Sequence, residues 1–118
     1  MLIMEKPINV IFLKQAEEFI EDLDDRTRKK LFYAFRKTRE RLFGTWFKKM
    51  AGSNDIFEFR IDEAGKFYRV FAFWDSEDDY ETLILCTHGL IKKTNKTPKA
   101  EIRKAEMIKR IYFEEKEK

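Results

Sequence analysis

The chain has 118 residues, 43% of them hydrophobic and 40% charged, with only four Gly and two Pro. That length buries one core and the apolar share is too high for a disordered chain, so we expect one domain over residues 1–118 with few long loops and a heavily charged surface. The formal charge is only +3, which by itself excludes no class of partner.

In chain order, Ile8–Leu13 (INVIFL) is short and β-branched and predicts a buried strand. Ala16, Phe19, Ile20 and Leu23 follow at helical spacing with acids on the other face. Asp24 and Asp25 break that helix or cap the next. In the second helix Leu31, Phe35, Thr38 and Leu42 keep one stripe, and Gly44 is the expected stop. The two segments read as a helical hairpin. TWFKKMAGSND reads as a connector.

Three strands then follow with short polar turns between them: Ile56–Ile61, Phe67–Trp74 and Tyr80–Leu90. Such a run is an antiparallel meander. In the last segment Thr97 is a candidate N-cap, Pro98 suits the first helical position and Glu101 lies in the first turn. Ile102, Ala105, Ile108 and Tyr112 supply the apolar face of that C-terminal helix. The expected fold is α+β in the order β-α-α-β-β-β-α, a small antiparallel sheet with an N-terminal helical hairpin and a C-terminal helix.

Charge is segregated along the chain. Ten basic residues and one acid lie between Arg26 and Lys49, and eight basic residues and two acids between Lys92 and Arg110. A polyanion is therefore a candidate partner; solvated helix lysines are the plain alternative. Cys86 is the only cysteine, so no disulfide forms within the chain, which fits a reducing cytoplasm. Its apolar setting, LILC, marks it as a small core residue. The N-terminal MLIMEKPINV lacks a signal peptide's apolar stretch, and no run approaches the ~20 apolar residues of a membrane span, so no membrane association is expected.

Candidate chemistry narrows by elimination. One His and one Cys are too few for a closed zinc site, no serine has a nucleophile-like context and no Gly-rich phosphate loop exists, so neither metal nor cofactor is expected. Cationic residues remain. Strand alternation puts Glu58 and Arg60 on one face of their strand and sets Arg69 among Phe67, Phe71 and Phe73. A guanidinium there is costly unless it faces a pocket or a partner. The third strand, on strict alternation, groups Ile84, Cys86, His88 and Leu90, and it ends at Lys92 and Lys93.

Such a site suits RNA cleavage without metal. A 2′-OH must lose a proton and attack phosphorus in line, the phosphorane gathers charge, and the 5′ oxygen needs a proton. Arg69 would clamp the phosphate, Lys92 or Lys93 would neutralise charge or move a proton, and His88 would act as base or acid. Structural alternatives stand beside each: a strand histidine bonded to a neighbour, an ion pair between Arg60 and Glu58 or an acid on the next strand, and a solvated helix-entry loop for the lysines.

Three stretches, KKMAGSNDIFEFRI, FYRVFAFWD and HGLIKKTNKTPKAEIRKAE, give the run from Phe47 to Arg110 a family likeness. It resembles the RelE/ParE toxin superfamily of type II toxin–antitoxin systems, in its HigB-like, phage-derived branch. The resemblance implies a RelE-like fold and a toxin that enters the ribosome and cleaves mRNA. Its partners would be the ribosome, mRNA and a cognate antitoxin, expected to be a helix-turn-helix DNA-binding protein. The candidate catalytic residues are Arg69, Lys92, Lys93 and His88, and the candidate RNA contacts Arg60, Lys96 and Lys99; of these, Arg60, Arg69, Lys92, Lys93 and Lys96 match the family by position. Pro98 and Glu101 match positions that shape the helix start. The branch usually has an aromatic after the His-Gly pair, where this chain has Leu90, and Tyr112 is the only tyrosine near the tail. The same superfamily holds ParE-like gyrase inhibitors without catalysis, and a non-catalytic nucleic-acid-binding module is the third reading.

Overall fold

A computed structural model describes residues 5–118. The first four residues of the N-terminal stretch, expected to carry no signal peptide, lie outside that range. The architecture is α+β, with a five-stranded sheet and three helices. In chain order these are β1 (Ile8–Phe12), α1 (Lys14–Glu21), α2 (Asp25–Arg39), β2 (Phe47–Lys49), β3 (Phe57–Glu63), β4 (Lys66–Asp75), β5 (Thr82–Lys92) and α3 (Lys99–Lys116). Strands lie in the order β1-β5-β4-β3-β2.

Two features correct the expected sheet. Phe47–Lys49, read as connector, is a short edge strand antiparallel to β3. Its one inward residue, Phe47, is buried 4.4 Å from the Phe59 ring centroid. Three residues are too few to show an alternation. The sheet is also mixed, because β1 runs parallel to β5, with Ile8 opposite Thr82 and Phe12 opposite Cys86. The hairpin crossover returns the chain to that edge, and no local pattern encodes where a crossover lands.

Helices cover both faces. Ala16 and Ile20 of α1 and Leu31, Ala34 and Phe35 of α2 pack on Phe59, Val70, Ala72, Ile84 and Cys86. On the opposite face Ala105, Ile102 and Tyr112 of α3 pack on Phe71, Phe73 and Leu85. Asp24 caps α2, its carboxylate accepting from Thr27 N–H at 2.8 Å.

That helix ends at Arg39, five residues short of the expected glycine. Arg41 takes the left-handed conformation (φ 63°), Leu42 N–H donates to Lys37 C=O and Arg41 N–H to Thr38 C=O. This pair of bonds is the helix-terminating motif that usually employs glycine. Gly44 has another use: any side chain there would overlap the Trp46 ring.

Register in β4–β5 shifts between Phe71 and Ala72, so that Phe71 faces His88 and Ala72 faces Cys86. Thr87 is the extra residue. A bulge interrupts side-chain alternation, which overturns the strict grouping of Ile84, Cys86, His88 and Leu90. Ile84 and Cys86 face the hairpin, whereas His88 stacks on Phe71 and Leu90 packs with the α3 cluster. Gly89 then turns toward α1, where a side chain would overlap the Phe19 ring.

A candidate oxyanion site between the sheet and the loop before α3

Three rows of side chains cross β3, β4 and β5 on the α3 face. They are Glu58–Phe71–His88, Arg60–Arg69–Leu90 and Asp62–Phe67–Lys92. The middle row places two arginines directly opposite each other across an antiparallel pair, an arrangement that is repulsive unless anions intervene.

The anions are present. Glu58, its side chain 3% exposed, sets Oε1 3.4 Å from Arg60 Nε and 3.3 Å from Arg69 Nε. Neither contact is aligned as a hydrogen bond, so both N–H groups are buried with the carboxylate as an ionic neighbour only. Arg69, 1% exposed, donates through Nη1 to the carbonyls of Tyr68 (2.9 Å) and Ile61 (3.2 Å) and to Asp62 Oδ1 (3.2 Å). Its guanidinium carbon lies 5.4 Å from the Phe67 ring centroid. The desolvation expected for an arginine among phenylalanines is thus met by charge and carbonyls.

Beyond β5 the chain folds back over this row. Asn95 Oδ1 accepts from Arg69 Nη2 at 2.7 Å and from Arg60 Nη2 at 3.1 Å. Lys92, buried, donates to Asn95 C=O (3.2 Å) and to Thr97 Oγ1 (2.8 Å), and the Thr97 hydroxyl donates to Glu58 Oε2 at 2.7 Å. The circuit closes on itself. Burial pushes the Lys92 ammonium below its ordinary value; Glu58 opposes this, and Arg69 and Arg60 add to it. A hollow of about 210 Å³ opens beside the circuit, lined by Thr45, Arg60, Ile61, Asp62, Arg69 and Asn95.

Thr97 therefore does not cap α3; its hydroxyl is committed to Glu58, and Pro98 precedes the helix without a side-chain cap. His88 is 3% exposed, with Nδ1 2.9 Å from Thr87 Oγ1 and Nε2 2.8 Å from Glu101 Oε2. Burial lowers its pKa from the ordinary value, with Lys104 acting the same way and Glu101 opposing. Both ring nitrogens are engaged, so the imidazole ties β5 to α3. Lys93, Lys96 and Lys99 are exposed, and among the described residues none of them makes a side-chain hydrogen bond or ion pair. Lys93 and Lys96 flank Asn95 in the same loop.

Arg60, Arg69 and Lys92 are thus brought together, with Lys93 and Lys96 in the adjoining loop and His88 one row away. Sequence reasoning missed Asn95, for which no local signal exists, and gave Glu58 only the part of an ion-pair partner. That ion pair is real: the structural alternative for Arg60 holds. Much of the basic run in α2 is structural. Arg26 and Lys30 pair with Glu63, and Arg28 caps the end of α1 through the carbonyls of Ile20, Glu21 and Leu23. Tyr112 donates to Asp75 Oδ2 at 2.6 Å, beside Lys116 at 2.8 Å, so it anchors α3 to the sheet.

The α+β sheet is thus covered by helices on both faces and carries a cationic cluster on its three middle strands, beneath the loop before α3. Residues 18–110 match the family described as phage derived protein Gp49-like (DUF891), and the chain belongs to that family. The family falls in the RelE/Gp49 toxin-like group. The match reaches well upstream of Phe47, into α1 and α2. No curated protein matches the chain. Among the described residues no helix is long and apolar enough to cross a membrane.

Proposed function

We propose that the chain is the toxin of a type II toxin–antitoxin pair, in the HigB-like branch, and that as one domain over residues 1–118 it cleaves ribosome-bound mRNA without a metal ion. The observation that carries this reading is the convergence of Arg60, Arg69 and Lys92 on one hydrogen-bonded circuit beside a solvent-open hollow. An RNA phosphodiester is the natural occupant of a site with two guanidinium forks and an ammonium.

In this reading Arg60, the more accessible of the two arginines, and Arg69 behind it hold the non-bridging oxygens. As the 2′-OH gives its proton to solvent water, its oxygen bonds to phosphorus and the P–O5′ bond breaks, the charge gathering on the non-bridging oxygens is met by groups already in place, which is where such sites gain most of their rate. Lys92, with its ammonium weakened by burial, is suited to give a proton to the departing 5′ oxygen. Lys93, Lys96 and Lys99 contact flanking phosphates. His88, a candidate acid or base on its chemistry, is better placed as a positioning residue, because Thr87 and Glu101 occupy both its nitrogens. A cognate antitoxin, a helix-turn-helix DNA-binding protein, would restrain the toxin, and both would act in the cytoplasm.

The test is to induce the chain in growing cells and map the 5′ ends of ribosome-bound transcripts. New ends should appear within coding regions, and Arg60→Ala should reduce them on the order of 10²-fold, the loss typical of one preorganised charge donor. Arrested growth with intact transcripts would reject the reading. Double-strand breaks in DNA under those conditions would favour the gyrase inhibitor instead.

A further inference from the structure

Two arginines from neighbouring strands aim their outer nitrogens at one oxygen, and that oxygen belongs to the carboxamide of an exposed loop residue. Asn95 Oδ1 is 2.7 Å from Arg69 Nη2 and 3.1 Å from Arg60 Nη2. A single acceptor shared by two guanidinium groups is the geometry of a bound oxyanion. The other outer nitrogen of Arg69 meets Asp62 Oδ1 at 3.2 Å, and the Asp62 side chain is largely exposed, at 65%. The chain thus answers a deeply buried cation with oxygens borrowed from its own surface.

We propose that Asn95 plugs a two-arginine oxyanion site, its amide oxygen standing where a non-bridging phosphate oxygen sits when RNA is bound, and that the phosphodiester enters by displacing the loop. This rests on the reading that the ligand is RNA, and it adds that the free protein is closed.

Three observations carry it. First, the plug is neutral and the arginines are charged, so a phosphate, which is anionic and presents several acceptors, outcompetes an amide at the same nitrogens. Second, Asn95 is exposed and lies between the end of β5 and the start of α3, so its withdrawal uncovers no apolar core. Third, the loop has a latch. Lys92 Nζ holds the Asn95 carbonyl at 3.2 Å, and Lys92 also donates to Thr97, which is tied to Glu58. Moving Asn95 outward therefore releases one donor from each of Arg60, Arg69 and Lys92 together. The hollow lined by Arg60, Asp62, Arg69 and Asn95 is the space a phosphate would enlarge.

The experiment uses the full chain and a 2′-O-methyl RNA trinucleotide, which lacks the attacking hydroxyl, with inorganic phosphate as a second probe. Affinity is read by calorimetry, and occupancy by the NMR shifts of the arginine Nε–Hε groups. Asn95→Ala should bind the trinucleotide about three- to tenfold more tightly, the worth of removing a competing hydrogen bond. Asn95→Asp, which sets a carboxylate between the arginines, should weaken binding about tenfold or more, with the thermal midpoint unchanged or raised. Weaker binding by Asn95→Ala, or wild-type binding by Asn95→Asp, overturns the proposal. So does the absence of any arginine shift with either probe at millimolar concentration. If the Asn95 pattern holds while transcripts stay uncut, the nuclease reading fails and the plug stands. If transcripts are cut but binding ignores Asn95, the plug fails and the nuclease reading stands.

Discussion

The Thr97 hydroxyl donates to Glu58 Oε2 at 2.7 Å, joining the loop before α3 to the start of β3 across 39 positions of sequence. Through that bond one buried carboxylate both neutralises Arg60 and Arg69 and fixes the segment that carries the exposed lysines. Glu58 is the hub of the site, although an anionic side chain is no ligand for a phosphate.

Glu58→Gln keeps the shape and removes the charge, leaving three cations around a neutral amide. We expect a loss of about 3–5 kcal/mol, the range for breaking a buried ion pair from one side. Thr97→Val should lose about 1 kcal/mol. In urea titrations the double variant should be less destabilised than the two single effects combined, because Glu58→Gln weakens the bond that Thr97→Val removes. Strict additivity would contradict the shared circuit.

His88 makes stability depend on pH. Its folded pKa lies below the ordinary 6.5, because burial disfavours the imidazolium and Lys104 repels it, while Glu101 opposes the fall. Between the two values the unfolded chain binds more protons, so stability is complete above about pH 6.5 and is lost as pH falls through that window. Glu101→Gln removes the opposing partner and should lower the His88 pKa further, as read by NMR titration of the single histidine. A rise in that variant would show that Glu101 does not act on the ring.

At the far end of α3, burial and the hydrogen bond to Asp75 push the Tyr112 hydroxyl up to about 12. Burial alone would raise the Asp75 carboxyl as well, but the Lys116 and Tyr112 donors overcome it and hold it below its ordinary value. Asp75→Asn should bring the Tyr112 pKa down toward 10 in a spectrophotometric titration and increase hydrogen exchange in the last turns of α3. An unchanged tyrosine titration would place the cause elsewhere.

Gly89→Ala drives a methyl group into Phe19, and overpacking of this kind costs about 1–3 kcal/mol. Shrinking the ring with Phe19→Leu should recover part of the loss. Chemical denaturation of the two single variants and the double variant measures the coupling, which vanishes if the helix simply shifts away.

Lys93→Ala and Lys96→Ala touch side chains with no ion pair or side-chain hydrogen bond among the described residues, so each should leave the thermal midpoint within about 3 °C of the parent, as surface substitutions do. Each should also flatten the salt dependence of RNA binding by about one unit of slope for every phosphate that the lysine neutralises. A salt slope equal to that of the parent would remove these lysines from the interface.

The amino-acid sequence by itself determined the α+β class, the helical hairpin, the three meander strands and the last helix, since periodicity and turn residues are local and survive without knowledge of neighbours. It also marked Arg60, Arg69 and the lysine segment as the chemistry to examine. Tertiary structure alone decided the rest. The parallel pairing of β1, the β2 edge and the Thr87 bulge depend on which strand lies alongside, and the bulge sets His88 on the same face as Arg69 and Lys92. Asn95 and Thr97 reach Glu58 and the arginines only because the loop closes over the sheet. Interactions spanning some 25 to 40 residues leave no periodic trace, because their energy comes from charges meeting in space and not from any preference of the chain that carries them.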